Sequence, residues 1–444
     1  MEMVTNAAAA VHGLFQHVPD LKAKWQRINL APLPRSSHSL SVVGGRAYIF
    51  GGEVNPREPV DNDMHVITLP ASPETTQADY RSIPARPQSS GRDVPEKRVG
   101  HSAAVIGDRI FVFGGRGGKD MKPLEENGRV WIYNTRIDSW TYLDPIPGTP
   151  YPAARSYHSS VAIEKPEPTI RSVETDVLDD TQIGKVAEEA QTDEQVGGRG
   201  TFFVHAGCPA SGRTNDLWGF DVMSRTWKEY PSAPGKPRGG TSIAISKQRI
   251  YRYGGFNGTG EEGGKLDVLE LNLTTFNDIG GTSEISVSAR GGWETLDFTE
   301  EDMPHPGNRS VAGLQTLNIG RGGEYLVLFL GERDPSSQGH EGAGEFWGDV
   351  WTFQCPPQGM TAASLDHAAR QAIGKETGEG LWTRIEVADA EGLEGEDVRR
   401  LIPGERGWFA SSTMGDLDVS GIVLWGGVNN LNERKDDGWI LRVE

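Results

Sequence analysis

The chain has 444 residues but only two cysteines, Cys208 and Cys355. That is too few for a disulfide framework or a Cys-rich zinc site. No apolar stretch approaches the roughly 20 residues that a membrane-spanning helix needs. The short run Ala7 to Val11 lacks the basic flank and long apolar region of a signal peptide. A soluble, cytoplasmic protein is expected on these grounds. Basic residues are in deficit, 44 Lys and Arg against 62 Asp and Glu, for a formal net charge of −18. Such a surface repels phosphate backbones and anionic lipid, so neither nucleic acid nor membrane is an expected partner. Walker loops, nucleophile elbows and zinc-type His pairs at helical spacing are also missing.

Glycine is plentiful, with 57 residues, and there are 12 tryptophans. Both fall into a repeat, which has to be found before any local reading. A short apolar run ending in a diglycine recurs at Ala47 to Gly52, Ile110 to Gly115, Ile250 to Gly255 and Ile422 to Gly427. Degenerate copies at Phe202 to Gly207 and Leu326 to Glu332 fill the gaps and make six units. A further apolar run precedes each diglycine. A variable loop follows it, then a run ending in an aromatic or aliphatic residue, then a Trp in the best-kept units. Tyr133 stands seven positions before Trp140, and Phe220 seven before Trp227. These runs of four to six residues, rich in Val, Ile, Tyr and Phe, carry strand patterning. Each unit is therefore expected to be a four-stranded antiparallel sheet, with the glycines easing a sharp turn at the end of a central strand.

Six such sheets bury their faces when arranged radially, so the expected fold is an all-β, six-bladed β-propeller. The last unit ends at Trp439-Ile440-Leu441 without a fourth strand, and Lys24 to Ile28 reads as that strand. The N-terminal strand is thus expected to close the ring. The diglycine and spaced aromatic pair resemble the kelch repeat, over residues 25–444. Residues 1–24 read as an extension with a helix at Asn6 to His17. Three insertions are expected: an acidic, polar loop near 164–200, a Thr/Ser/Gly-rich segment near 272–292, and a stretch near 356–381 with a helix at Thr361 to Ile373.

Two constellations bear on function. The first is R-x-x-H-S at Arg35/His38, Arg98/His101 and Arg155/His158; the fourth unit keeps Arg238 with Thr241, and the fifth has Arg309 where His would be. Equivalent positions lie on a ring around the axis. Arg35, Arg98, Arg155 and Arg238 would then converge on one mouth of the channel and bind a small anionic metabolite by bidentate hydrogen bonds. The structural alternative is that these residues tie neighbouring blades together, and it is the favoured reading for the histidines. The second is the loop from Gly331 to Phe346, containing Glu332, Asp334, Ser336 and His340. Here Glu332 is read as replacing the second glycine of the fifth unit. Carboxylate and imidazole in one Gly-rich loop suit a divalent metal such as Fe, Mn or Zn, although acidic loops are more often simply solvated.

This loop resembles that of the plant nitrile-, epithio- and thiocyanate-forming specifier proteins, which carry an E-x-x-x-D-x-x-x-H iron triad. Glu332 and His340 keep the separation; Ser336 stands where that family has Asp, and Asp334 is the nearest carboxylate. The stretch from Gly51 to Leu69 is similar to that family's opening kelch unit. The resemblance implies a ferrous ion held by Glu332 and His340 with Asp334 or Ser336. It also implies that arginines of the R-x-x-H pattern, Arg98 and Arg155, hold a sulfate, in a lyase or isomerase reaction on a small sulfated metabolite. Trp347 and Trp408 are read as core in preference to cavity walls. The competing reading is a non-catalytic kelch scaffold whose loops bind a protein partner.

Overall fold

The computed structural model describes residues 21–70, 78–164, 199–277, 283–299, 303–319, 323–339, 342, 344–356, 380–387 and 401–444. The two expected helices lie outside these residues, as does most of the acidic insertion. The described residues form six antiparallel blades. Blade 1 runs Ser39–Val43, Arg46–Phe50, Met64–Thr68 and Asp79–Ile83 in simple up-and-down order. Blade 6 takes three strands from the C-terminus and its fourth, Lys22–Ile28, from the N-terminus, in register from Ala23 opposite Val443 to Ile28 opposite Gly438. The ring is closed as the repeat arithmetic required. A short parallel strand, Glu386–Val387, covers the outer edge of Lys22–Ile28.

Blade 4 departs from the expected loop insertion. Its third strand is the long Lys265–Asn277, whose outer half pairs with Ser283–Ala289 as a hairpin, while Glu294–Asp297 completes the blade on the inner half. Leu269, Leu271 and Leu273, alternating with Glu270 and Asn272, carry a two-residue period that composition alone reads as loop.

Packing follows the ring. The buried apolar residues fall into six clusters, one at each seam between adjacent blades. At the blade 1–2 seam, Phe50 packs on Trp140 with ring centroids 4.8 Å apart, and Trp140 is fully buried. Each such side chain stabilises the fold by roughly 1.5–3 kcal/mol. No single blade could bury that area alone.

Backbone hydrogen bonds also circle the axis. The amide of Gly100 donates to Ser37 O at 2.9 Å, Tyr157 to Gly100 O at 2.7 Å and Gly240 to Tyr157 O at 2.8 Å. Val311 then donates to Gly240 O at 2.8 Å, Trp408 to Val311 O at 3.3 Å, and Ser37 to Trp408 O at 2.9 Å, closing the circle. All six residues have positive φ, between 46° and 64°. The diglycines dock beside this circle. A Cβ on Gly51 would lie 2.6 Å from the Arg98 carbonyl oxygen of the next blade, and one on Gly52 would lie 2.7 Å from Ser36 O.

The degenerate fifth unit needs a correction. Leu330 (φ 56°) takes the place of the first glycine and Gly331 (φ 102°) that of the second. Glu332 therefore replaces no glycine. It occupies the position just after the pair, equivalent to Glu53 in blade 1.

Candidate functional site

The residue that follows each diglycine or its equivalent leaves the blade at one end of the ring. These six are Glu53, Arg116, Cys208, Phe256, Glu332 and Val428, and all six line a single cavity of about 630 Å³. Each is held by a backbone bridge to the residue after the blade's leading arginine, as Glu332 is to Ser310. The cavity is thus built by repeat geometry, and its chemistry by six side chains at one register. Trp408, Tyr157 and Val311, from the circle of positive-φ residues, add to its wall. Trp408 meets Tyr157 edge-on at 5.3 Å. Trp408 is a wall residue, contrary to the core reading, whereas Trp347 does not line the cavity and donates its indole N–H to Asn308 O.

The four arginines expected at the channel mouth are not there. Arg35, Arg98, Arg155 and Arg238 are buried, and none lines the cavity. Each donates from Nη1 to the carbonyl at or just before its own diglycine: Gly51 O, Gly114 O, Ala206 O and Gly254 O, at 2.9–3.1 Å. Arg98 also makes a bidentate pair with Glu126, and Arg155 with Asp216. Arg35 instead meets His65 Nε2 at 3.1 Å. The series extends to Arg309, which stands at the arginine position and not at that of His, and to Arg406; these pair with Asp349 and Asp437. An internal carboxylate or carbonyl already occupies every one of these guanidiniums, so they brace the blades. The histidines behave as the structural reading expects. His101 Nε2 lies 2.9 Å from Ser39 Oγ of blade 1, and His158 Nε2 donates to Phe113 O of blade 2 at 3.1 Å. Burial and the adjacent arginine push His158 down to about 3, so it stays neutral.

The cavity has other arginines. Arg116 bonds Ser156 Oγ through Nε at 2.9 Å and lies 5.0 Å from the Tyr157 ring centroid. Arg213 lies 4.9 Å from that of Phe256. Neither pairs with a carboxylate among the described residues. Cys208 sits where both cations act on it; burial raises its thiol above the usual range, and Arg213 and Arg116 oppose that rise. The third, Arg434, is held by Glu53 at 2.9 Å. One position past each diglycine is a register visible in the repeat, and it would have found Arg116 and Cys208. Arg213 lies farther out in its loop and has no such signal.

The Gly-rich loop brings together only part of the expected metal set. Glu332 and Ser336 line the cavity. Burial pushes the Glu332 carboxyl up to about 7, against a hydrogen bond from Trp408. Asp334 is exposed and held by Arg333 at 2.8 Å. His340 lies outside the described residues. Among those described, no group of three His, Cys, Asp or Glu side chains converges on one point. Of the expected set, the described residues bring one carboxylate and one neutral hydroxyl to the cavity, and the imidazole position lies outside them.

Residues 37–166 match the KLHDC2/KLHL20/DRC7 Kelch-repeats domain. The match falls on the first two blades and the opening of the third, whose pattern recurs around the whole ring. The chain is a six-bladed β-propeller whose first two blades match a kelch-repeat model. This propeller is 23% identical to N-(sulfonatooxy)prop-2-enimidothioate sulfolyase of Thlaspi arvense, over 95% of its own length and 98% of that protein. It is 27% identical to human Kelch domain-containing protein 3 across 55% of each chain. The solved structure of YjhT superposes with a TM-score of 0.53 at 13% identity, covering 94% of the propeller and 99% of YjhT. That likeness concerns the fold alone.

Proposed function

We propose that this propeller is a lyase of the specifier kind that holds a small sulfated metabolite in the cavity at the loop end of its ring. The observation that carries the reading is the pair Arg116 and Arg213, two cavity guanidiniums without a carboxylate partner among the described residues. Guanidinium suits a sulfate because its N–H donors match the oxygen atoms in pairs. The full-length likeness to a sulfolyase supports a sulfated substrate. In a sulfolyase reaction the sulfate departs with the bonding electron pair. Donors fixed beforehand around its oxygen atoms stabilise that charge without reorganising. Phe256, Phe346, Val311 and Trp408 supply an apolar wall for the remainder of the molecule.

Ferrous iron, the cofactor implied by resemblance, stands as a separate question, and the arginine reading does not depend on it. Protein loaded with ferrous ion under anaerobic conditions, beside His340→Ala, answers it by metal content; no iron in either disposes of the ion. The arginine reading is tested by calorimetry with methyl sulfate. Arg213→Gln and Arg116→Gln are each expected to weaken binding about tenfold or more. The magnitude follows from the roughly 1.5–3 kcal/mol of a charge-assisted hydrogen bond. Unchanged affinity in both variants would return the cavity to a protein-binding role, the alternative for kelch propellers.

A further inference from the structure

The cavity is polarised, and its two ends lie across the ring from each other. Arg116 belongs to blade 2 and Glu332 to blade 5, at equivalent positions three blades apart in a ring of six. Arg116 marks the cationic side, and Arg213 lies over Phe256 of blade 4, where its charge reaches Glu261. On the opposite side Glu332 lines the cavity while only 7% exposed, and no Lys, Arg or His among the described residues pairs with it. Behind it stands Glu261 of blade 4, bridged through its backbone to the wall residue Phe256. Both carboxylate oxygens of Glu261 are buried, with Ser310 and the charge of Arg213 acting on them. The negative charge of Glu332 acts on Glu261, so the two carboxyl groups are near neighbours. Elsewhere the fold leaves few buried carboxylates without a cation, as Glu332 is. Glu126, Asp216, Asp349 and Asp437 all hold a buried arginine, and Glu53, at the same register as Glu332, holds Arg434.

Burying a carboxylate without a cation is costly, and here Glu332 sits in the cavity wall with no cation beside it among the described residues, while Glu261 near it has the charge of Arg213 acting on it. We propose that Glu332 forms a second subsite, for a cationic group of the ligand, and that the cavity selects a small zwitterion. Its sulfate or sulfonate lies on Arg116 and Arg213, and its ammonium or amidinium group lies against Glu332. This inference rests on the anion reading above and adds the opposite end.

The test uses a ladder of ω-aminoalkanesulfonates with two to six methylenes, each beside the alkanesulfonate of the same length, titrated into the full chain at pH 8 by calorimetry. At least one amino compound is expected to bind tenfold or more tightly than its partner without the amine. Glu332→Gln is expected to abolish that difference while leaving the plain alkanesulfonate unchanged. If the alkanesulfonates bind and the amine adds nothing at any length, the carboxylate subsite is wrong and the anion site stands. If neither series binds, both readings fall. The ladder on the unsubstituted protein decides even if a Glu332 variant does not fold.

Discussion

Among single residues, the same side-chain type plays opposite parts according to its register. Arg98 and Arg116 are both arginines of blade 2, yet the first is sealed against Gly114 O and Glu126 and the second opens on the cavity. The R-x-x-H motif is legible in sequence as a repeating feature, but its direction is not, because the partners that capture it come from distant positions such as Asp216 and Asp349. Glu261 shows the same dependence on context. Burial, then the nearby charge of Glu332, pushes its carboxyl up to about 8, far above its ordinary value near 4.5. Below pH 4.5 folded and unfolded chains both carry this proton, and the group has no effect. Between pH 4.5 and 8 the unfolded chain releases the proton while the folded chain keeps it, so stability falls as pH rises. The loss grows by about 1.4 kcal/mol for each pH step crossed in that window, and Glu261→Gln removes it. Urea midpoints at pH 5 and pH 8 should therefore diverge less in Glu261→Gln than in the parent. Equal pH slopes would mean that the carboxyl is solvated and ordinary.

Within the repeat unit, the diglycine carries two separable demands, a positive φ and room for the neighbouring blade. Gly51 has φ 65° and would place a Cβ 2.6 Å from the Arg98 carbonyl oxygen and 2.8 Å from the His101 ring. Gly44, in the hairpin of the same blade, has φ 55° with nothing within 4 Å of such a Cβ. Gly44→Ala is expected to cost about 1 kcal/mol, from the left-handed conformation alone. Gly51→Ala should cost about 3 kcal/mol or more, because backbone of the next blade must also move. Thermal or urea unfolding of the two variants separates these contributions, and equal losses would remove the steric part. Leu330 explains why the fifth unit misaligns in sequence. A buried Leu tolerates the first glycine's conformation there, in the apolar cluster of the blade 5–6 seam, so the recognisable pair dissolves although the turn is retained. The hairpin on Lys265–Asn277 is hidden for a different reason: the polar residues between Leu269, Leu271 and Leu273 look like loop unless the alternation is counted.

For the whole molecule, blade count, strand order and closure are all legible from periodicity, since each unit repeats the same apolar pattern and one strand is missing at the end. The cavity is not, because it forms only when six loops meet, and its charge asymmetry emerges from side chains scattered between Arg116 and Glu332. Closure also has a consequence for stability. Lys22–Ile28 pairs with Gly438–Val443 along its length, and Trp25 packs edge-on against Phe329 of blade 5 at 6.1 Å. Ala23, Trp25 and Ile28 are all buried. Without this strand, Trp439 and Leu441 would lie on an open edge of blade 6, and the seam to blade 5 would lose its outer packing. A chain lacking residues up to Ile28 is therefore expected to unfold at a lower urea concentration and over a broader, multi-step transition, since an open ring lets terminal blades detach first. A synthetic peptide spanning residues 21–30, added in trans, should restore the midpoint in a concentration-dependent way, because it binds the folded state alone. An unchanged midpoint in the truncated chain would show that the ring holds itself together through its seams and that the N-terminal strand is ornament.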